Sequence, residues 1–513
     1  MANLVVCCDG TWNTPDDTEG GLPAPTNVVK FYNALADADA KGVTQQKYYH
    51  PGVGTDGGWW NQAVGGGAGV GLDHNIKSAY QWLGYRYRPG DQIFLIGFSR
   101  GAYTVRSLGG MIAKSGLLDI SAADLSPEEA WRRINVAFDY YRLTAATDEL
   151  KKLPAHDKRE GDPPGGSTKI FFIGVWDTVG ALGIPDDMGL LNLIDNPRKH
   201  SFHDTDLSNC VLNARHAMAM DERRQTFTPT VWTGVEDREQ VKQIWFPGVH
   251  ADVGGGYADR DLSDGSLAWM MKEAKALGLE FRGGVEAQLN PKSGGPLHNS
   301  LCGVFKVLKC SPRAVPVVTS QEAFHQSALD RYQNPPIDQG PYWPTRVLQI
   351  GETITIDIFA REHWNATHIF LEENTSYQLS ASGEWMDASI KCGPAGMNDG
   401  SFHLGEVVHL AASAFGQIET AFRRLTGNTQ ADFWWTKRDE DLPWFALVGV
   451  TACGSGADRY GNPRPHKTFN IGAGCPLSIK SGEAGYFYCF ANDAWQAYGN
   501  NKGSVALTVE RTA

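Results

Sequence analysis

The sequence predicts an α/β fold, a doubly wound and mostly parallel sheet, followed by a C-terminal β-sandwich domain. Three observations carry this. Short apolar runs at 4–8, 93–96, 169–176 and 241–249 alternate with segments of helical spacing, the pattern of strands covered on both faces. One of these runs enters Gly97-Phe-Ser-Arg-Gly101 and leaves into an apolar-periodic segment at 102–115, a sharp strand-to-helix turn. Beyond the Pro-rich joint at 333–344, helical spacing gives way to short strands with turn residues between them. A chain of 513 residues exceeds one ordinary domain, so the expected division is 1–345 and 346–513.

Taken in order, the strand at 4–8 stops at the polar turn Asp9-Gly10-Thr11. A helix at 27–36 and a strand at 46–49 complete a β-α-β unit. The Gly-rich stretch 57–71 has no Lys-Ser/Thr after it and lacks dinucleotide spacing, so it reads as a rim loop beginning with Trp59 and Trp60 rather than a phosphate cradle. Helices are expected at 74–85 and 127–143, and 145–168 reads as a solvated excursion. The strand 169–176 ends at Asp177. A helix is expected at 207–220, the strand 241–249 ends at His250, and an amphipathic helix follows at 263–277. Further strands are expected at 353–359, 368–372, 376–381, 445–450 and 486–490.

Ligands of such sheets bind beyond the carboxyl ends of the strands. Asp9, His50, Ser99, Asp177 and His250 all fall there. The strand–turn–helix context makes Ser99 a candidate nucleophile, with the Arg100 N–H at the helix start as an oxyanion donor. A serine needs a base, and the base needs an orienting acid. His250 and Asp177 follow in the order nucleophile, acid, base; Asp252 and Asp9 are the alternative acids. A second oxyanion donor is expected from Gly10 or Thr11 in the loop after the first strand.

Five blocks together, Cys8-Asp-Gly-Thr-Trp-Asn13, Tyr49-His-Pro-Gly-Val-Gly-Thr55, Gly97-Phe-Ser-Arg-Gly-Ala-Tyr103, Val175-Trp-Asp-Thr-Val-Gly180 and Phe246-Pro-Gly-Val-His-Ala-Asp-Val-Gly-Gly-Gly-Tyr257, resemble the Tle-type α/β-hydrolases. These include phospholipase effectors of bacterial type VI secretion. The resemblance implies a carboxylic-ester hydrolase, of phospholipase or esterase type, with the triad on Ser99, Asp177 and His250. It also implies transient membrane-surface contact and a secretion-apparatus partner.

In the C-terminal part, Asp493, Asn500 and Asn501 present hard oxygens in a Gly-bent loop, as calcium requires. The segment 491–509 resembles the calcium loop of the small galactophilic bacterial lectins. That resemblance implies Ca²⁺ held by Asp493, Asn500, Asn501 and the Ala497 carbonyl, with a glycan ligand. The lectins' His-Pro-Asp-Gln sugar-contact stretch is missing, and Trp434-Trp435 stands in the comparable region. The hydrolase chemistry itself calls for no cofactor.

A net charge of −12 argues against nucleic acid as a partner and supplies no polybasic membrane patch. No C-x-x-C pair occurs among the nine cysteines, which excludes a zinc or thioredoxin reading; Cys392, Cys453, Cys475 and Cys489 cluster late as candidates for pairing. The first nine residues lack a basic n-region, so the expectation is synthesis in the cytoplasm without a signal peptide, with type VI delivery as the route implied by the resemblance. The competing function is a non-catalytic, calcium-dependent glycan-binding protein on a hydrolase-like scaffold.

Overall fold

The structure is a computed structural model that describes residues 1–10, 13–52, 68–143, 147–157, 167–179, 207–302, 308–397, 437–454 and 464–513. Strand β1 (Asn3–Cys8) is followed by a two-stranded hairpin, β2 (Thr18–Glu19) and β3 (Leu22–Pro23), then α1 (Asn27–Ala34) and β4 (Gln45–His50). Next come α2 (Ala68–Arg86), β5 (Gln92–Phe98), α3 (Arg100–Ser115), α4 (Pro127–Leu143), α5 (Thr147–Lys152), β6 (Phe172–Trp176), β7 (Ala214–Ala219), β8 (Val241–Phe246), α6 (His250–Gly254), α7 (Ser263–Ala276) and α8 (Gln326–Gln333). The six longer strands pair in parallel in the order β4-β1-β5-β6-β7-β8. This is the doubly wound sheet that the alternating runs predict.

Helices cover both faces, and the alternation of β1 shows how. Leu4, Val6 and Cys8 pack with residues of α2, α3 and α4, such as Tyr80, Leu108 and Ile134. Val5 and Cys7 pack on the other face with Phe31 of α1 and Met270 of α7. Successive strand side chains point to opposite faces, so a strand between two helical layers must be apolar at every position.

Four local expectations differ from the structure. The expected helix 207–220 contains a strand, β7, whose six residues are all buried. Ala and Met favour helices in isolation, but pairing with β6 and β8 overrides that weak preference, and small side chains fit between two covered faces. Residues 147–152 of the expected solvated excursion form α5, and α2 begins inside the expected rim loop, at Ala68. Trp59 and Trp60 lie outside the described residues. Strand β8 ends at Phe246, three residues before the expected limit, so His250 opens a short helix instead of ending a strand.

The C-terminal region is antiparallel. It comprises β9 (Thr353–Phe359), β10 (Asn365–Leu371), β11 (Thr375–Asp387), β12 (Ile390–Cys392), β13 (Leu447–Thr451), β14 (Lys467–Asn470), β15 (Gly474–Ile479), β16 (Gly485–Ala491) and β17 (Asn501–Arg511). One sheet runs β10-β16-β13-β14 and the other β12-β11-β17-β9, with β15 also on β11. Ile358, Leu379, Trp385 and Leu507 of one sheet share a core with Ile369, Leu447 and Phe487 of the other, which makes a sandwich. A further cluster joins this region to the parallel sheet: Met218 and Trp245 meet Val315, Val318, Phe370 and Tyr486.

Candidate active site

Strand β5 ends at Phe98 and α3 begins at Arg100, so Ser99 alone makes the turn, at φ 55° and ψ −122°. An L-residue held there stores roughly 1–3 kcal/mol of strain, which the surroundings must over-determine. They do. The Ser99 N–H donates to Trp176 O at 3.1 Å, and Tyr103 N–H donates to Ser99 O at 3.2 Å. The flanking glycines are required by contact: a Cβ on Gly97 would lie 2.6 Å from Gly101 O, and one on Gly101 only 2.1 Å from Cys8 O.

Strand β6 pairs with β5 so that Trp176 faces Phe98, which sets Asp177 one step from the serine turn. The Asp177 carboxylate is fully buried and accepts from four donors: His250 Nδ1 at 2.6 Å, Arg313 Nη1 at 3.0 Å, Arg313 Nη2 at 3.1 Å and Ala219 N at 3.0 Å. Burial by itself pushes this carboxyl up, but the Arg313 guanidinium and the His250 bond hold it well below the usual carboxylate range.

His250 is buried, its ring set 4.6 Å from that of Phe98 and edge-on to Phe227 at 4.9 Å. An ionised carboxylate only accepts, so Nδ1 carries the proton and Nε2 is the bare acceptor. Nε2 is buried and makes no hydrogen bond among the described residues. Burial lowers the pKa of this imidazole against the pull of Asp177, which keeps it neutral near pH 7. Neutral imidazole with an unengaged lone pair is the state a general base requires.

Of the alternative acids, Asp252 belongs to a different histidine: it accepts from His298 Nδ1 at 2.6 Å and from Val249 N at 2.9 Å. Asp9 accepts from Thr26 Oγ1 at 2.7 Å, Tyr49 OH at 2.8 Å and Gly10 N at 2.8 Å, and burial pushes its carboxyl up to about 6. The Gly10 N–H, expected as an oxyanion donor, is thus engaged by Asp9, although a Cβ on Gly10 would stand only 3.3 Å from Ser99 Cβ. Thr11 lies outside the described residues. Arg100 opens α3, where backbone N–H groups point out of the helix start. His50 ends β4 and its Nδ1 bonds Pro51 O.

Sequence reasoning missed Arg313, Glu222 and Arg224. Glu222 accepts Arg224 Nε at 3.0 Å, Arg224 Nη2 at 2.8 Å, Ser300 Oγ at 2.8 Å and His250 N at 3.3 Å. Arg313 also donates from Nε to Glu222 O. No local signal marks these residues; Arg313 is 136 positions from its carboxylate.

In the sandwich, Asp493 is buried and accepts Asn501 Nδ2 at 3.0 Å, while Asn500 Nδ2 donates to Asp387 at 3.0 Å and the Ala497 carbonyl accepts Asn500 N at 3.2 Å. Asn501 Oδ1 is buried without a hydrogen bond. An orphaned hard oxygen beside two buried carboxylates fits a calcium ion. All nine cysteines are free, so the late-clustering ones do not pair, and burial pushes the Cys7 and Cys489 thiols up.

Comparison with known proteins adds three findings. The family model described as the T6SS phospholipase effector Tle1-like catalytic domain matches residues 2–273. The chain is 30% identical over 250 residues to the uncharacterized protein YEL023C of Saccharomyces cerevisiae, covering 45% of this chain and 33% of that one. Among solved structures, an uncharacterized Pseudomonas aeruginosa protein is 18% identical with TM-score 0.33, covering 56% of this chain and 49% of that chain. A Tle1 effector bound to the VgrG spike is 18% identical with TM-score 0.28, covering 50% and 51%. The chain therefore spans about a third of the curated relative and about half of these two solved chains.

Proposed function

The chain belongs to the family of the type VI secretion phospholipase effector Tle1-like catalytic domain, and on that premise we propose that it is a serine ester hydrolase acting on phospholipid or a related carboxylic ester. Ser99 attacks the ester carbonyl carbon while His250 Nε2 takes the hydroxyl proton. The oxyanion is stabilised by the Arg100 N–H, with Thr11 as the second donor. His250 then returns the proton to the departing alcohol, and the same base activates the water that cleaves the acyl-enzyme. Asp177 keeps the proton on Nδ1 and stabilises the imidazolium.

The observation that carries this reading is the buried His250 ring, tied at Nδ1 to Asp177 at 2.6 Å, unbonded at Nε2 and packed on Phe98, the residue before the serine in the strained turn. It is tested with a short-chain nitrophenyl ester and phosphatidylethanolamine, before and after Ser99→Ala. The variant is expected to lose roughly 10³-fold or more of the rate. Fluorophosphonate labelling of Ser99 separates the enzyme from a glycan-binding scaffold; a wild-type protein left unlabelled, or a fully active Ser99→Ala variant, rejects the proposal.

We further propose a division near 345–346, with the sandwich as a surface-binding module. Asp493, Asn501, Asn500 and the Ala497 carbonyl would hold Ca²⁺ there, the ion supplying a positive site for sugar hydroxyls. Delivery by a type VI apparatus, with a component of that apparatus as partner, rests on the family's description. Among the described residues no helix is long and apolar enough to cross a membrane, so lipid contact is proposed at a surface.

A further inference from the structure

The segment 309–313 touches both halves of the molecule. On the parallel-sheet side, Gln225 N donates to Lys309 O at 2.9 Å and Ser311 N donates to Arg223 O at 2.7 Å. Arg313 reaches from its end into the site, donating to Glu222 O at 2.9 Å, Phe227 O at 2.9 Å and both oxygens of Asp177. Two bonds come from the sandwich. Trp364 Nε1, just before β10, donates to Cys310 O at 2.8 Å. His466, just before β14, contacts Pro312 O through Nε2 at 2.8 Å. Its Nδ1 accepts Gly454 N at 2.9 Å, so Nε2 carries the proton and donates.

These contacts have one geometric consequence. A bidentate guanidinium fork is effective only when its carrier backbone is fixed, because two parallel bonds demand both position and plane. The backbone leading into Arg313, at Cys310 and Pro312, is fixed from the sandwich by side chains at 364 and 466. Trp364 in turn stacks under Arg438, whose guanidinium lies 4.1 Å from its ring and whose N–H donates to Asp493 O at 3.2 Å.

We propose that Arg313 is a positioning residue for the triad acid, and that the C-terminal sandwich, through Trp364 and His466, holds it in place. The sandwich is then part of the catalytic unit as well as a binding module. The proposal rests on the Ser99–His250–Asp177 reading. By neutralising Asp177, Arg313 lowers the proton affinity of His250; the other charged or titratable groups around this pair are Glu222, Arg224, His216 and Arg106. Removing the cation therefore raises the pH at which His250 becomes protonated and inactive.

The test measures kcat, KM and the pH profile of kcat/KM on a short-chain nitrophenyl ester for the full chain, with thermal unfolding alongside. Arg313→Met is expected to lose about 10²-fold in kcat and to move the acid limb upward by on the order of one pH unit. Arg313→Lys, which keeps charge and loses the fork, is expected to lower kcat about tenfold with the acid limb unmoved. The double variant Trp364→Phe/His466→Ala is expected to lower kcat and raise the acid limb by a smaller step. An unmoved acid limb in Arg313→Met, with Ser99→Ala inactive, overturns the role of Arg313 and leaves the triad standing. If Arg313→Met does not fold, wild-type kcat in Arg313→Lys overturns it equally. Unchanged kinetics in the double variant overturn the part assigned to the sandwich. Activity surviving in Ser99→Ala removes the reading beneath both.

Discussion

Asp177→Asn is the perturbation that discriminates most among readings of the site. The side chain keeps its shape, but one acceptor oxygen becomes an NH₂ group. Oδ1 accepts from Ala219 N and Arg313, whereas Oδ2 accepts from His250 Nδ1 and Arg313. The amide oxygen is expected at the Oδ1 position, because the Ala219 N–H can only donate whereas the imidazole can change tautomer, and this turns NH₂ toward His250. The imidazole then keeps its lone pair on Nδ1 and its proton on Nε2, so it cannot take the Ser99 proton. In triads of this kind the wrong tautomer and a lost counter-charge lower kcat by about 10⁴, or about 5.4 kcal/mol of barrier at ~1.36 kcal/mol per tenfold. The same change leaves Arg313 buried opposite a neutral amide, and breaking one partner of a buried pair typically costs about 3–5 kcal/mol of stability. The assay is initial-rate hydrolysis with circular dichroism melting in parallel, and Asp252→Asn as control, because Asp252 serves His298 instead. The reasoning fails if Asp177→Asn retains a tenth of wild-type kcat, or if Asp252→Asn loses as much.

Other outcomes follow from the same structure. Because burial lowers the His250 pKa, kcat/KM is expected to hold its plateau below pH 6.5 and fall only as pH drops through that lowered value; an acid limb centred above 6.5 contradicts the burial argument. Asp9 has the opposite linkage: its proton is held up to about pH 6, so its contribution to stability is full below about pH 4 and is lost as pH rises to 6. Chemical denaturation across that range should show a slope that Asp9→Asn removes. Gly101→Ala places a methyl 2.1 Å from Cys8 O, at the end of β1, and should destabilise by about 3 kcal/mol or more; a soluble variant with unchanged melting temperature refutes the close approach. Calcium at 100 times its Kd should stabilise by about 2.7 kcal/mol, a melting shift of a few degrees that Asp493→Asn abolishes.

The sequence made the elbow legible because every constraint on it is local. Two glycines, a serine and flanking strand and helix patterns lie within about one turn of one another. The end of β6 was legible for a related reason: a strand covered on both faces must be apolar, so its last apolar residue marks where a polar side chain enters the site, whereas the end of β8 was read three residues late. What stayed hidden depends on long-range pairing. β7 carries a helix-favouring composition, and only its place between two strands decides otherwise. Arg313 sits in an irregular segment with no period to read, and Gly10 N–H is engaged by the side chain of the residue before it. The candidate triad residues were thus easier to find than those that hold them.

That difference bears on how the site handles charge. Asp177 and Glu222 bring two negative charges into a space closed to water, and Arg313 and Arg224 bring two positive ones; all four are buried. With His250 neutral, these four charges cancel one another. On the proposed mechanism, when the serine proton reaches His250, a positive charge appears on the ring and a negative one on the oxyanion. Both arise together inside a frame of dipoles and ion pairs already fixed, which need not reorganise. The Asp177 bond steadies the new imidazolium, while Arg313 limits how strongly that carboxylate binds the proton, so the proton can still pass to the leaving alcohol. If Arg313 were absent, the pair would bind the proton more tightly and release it more slowly, and the second half of the reaction would suffer most. A Glu222→Gln variant unbalances the frame in the opposite sense by leaving one positive charge in excess. It should lower the acid limb of kcat/KM, where Arg313→Met raises it, and identical shifts in the two variants would refute an electrostatic origin.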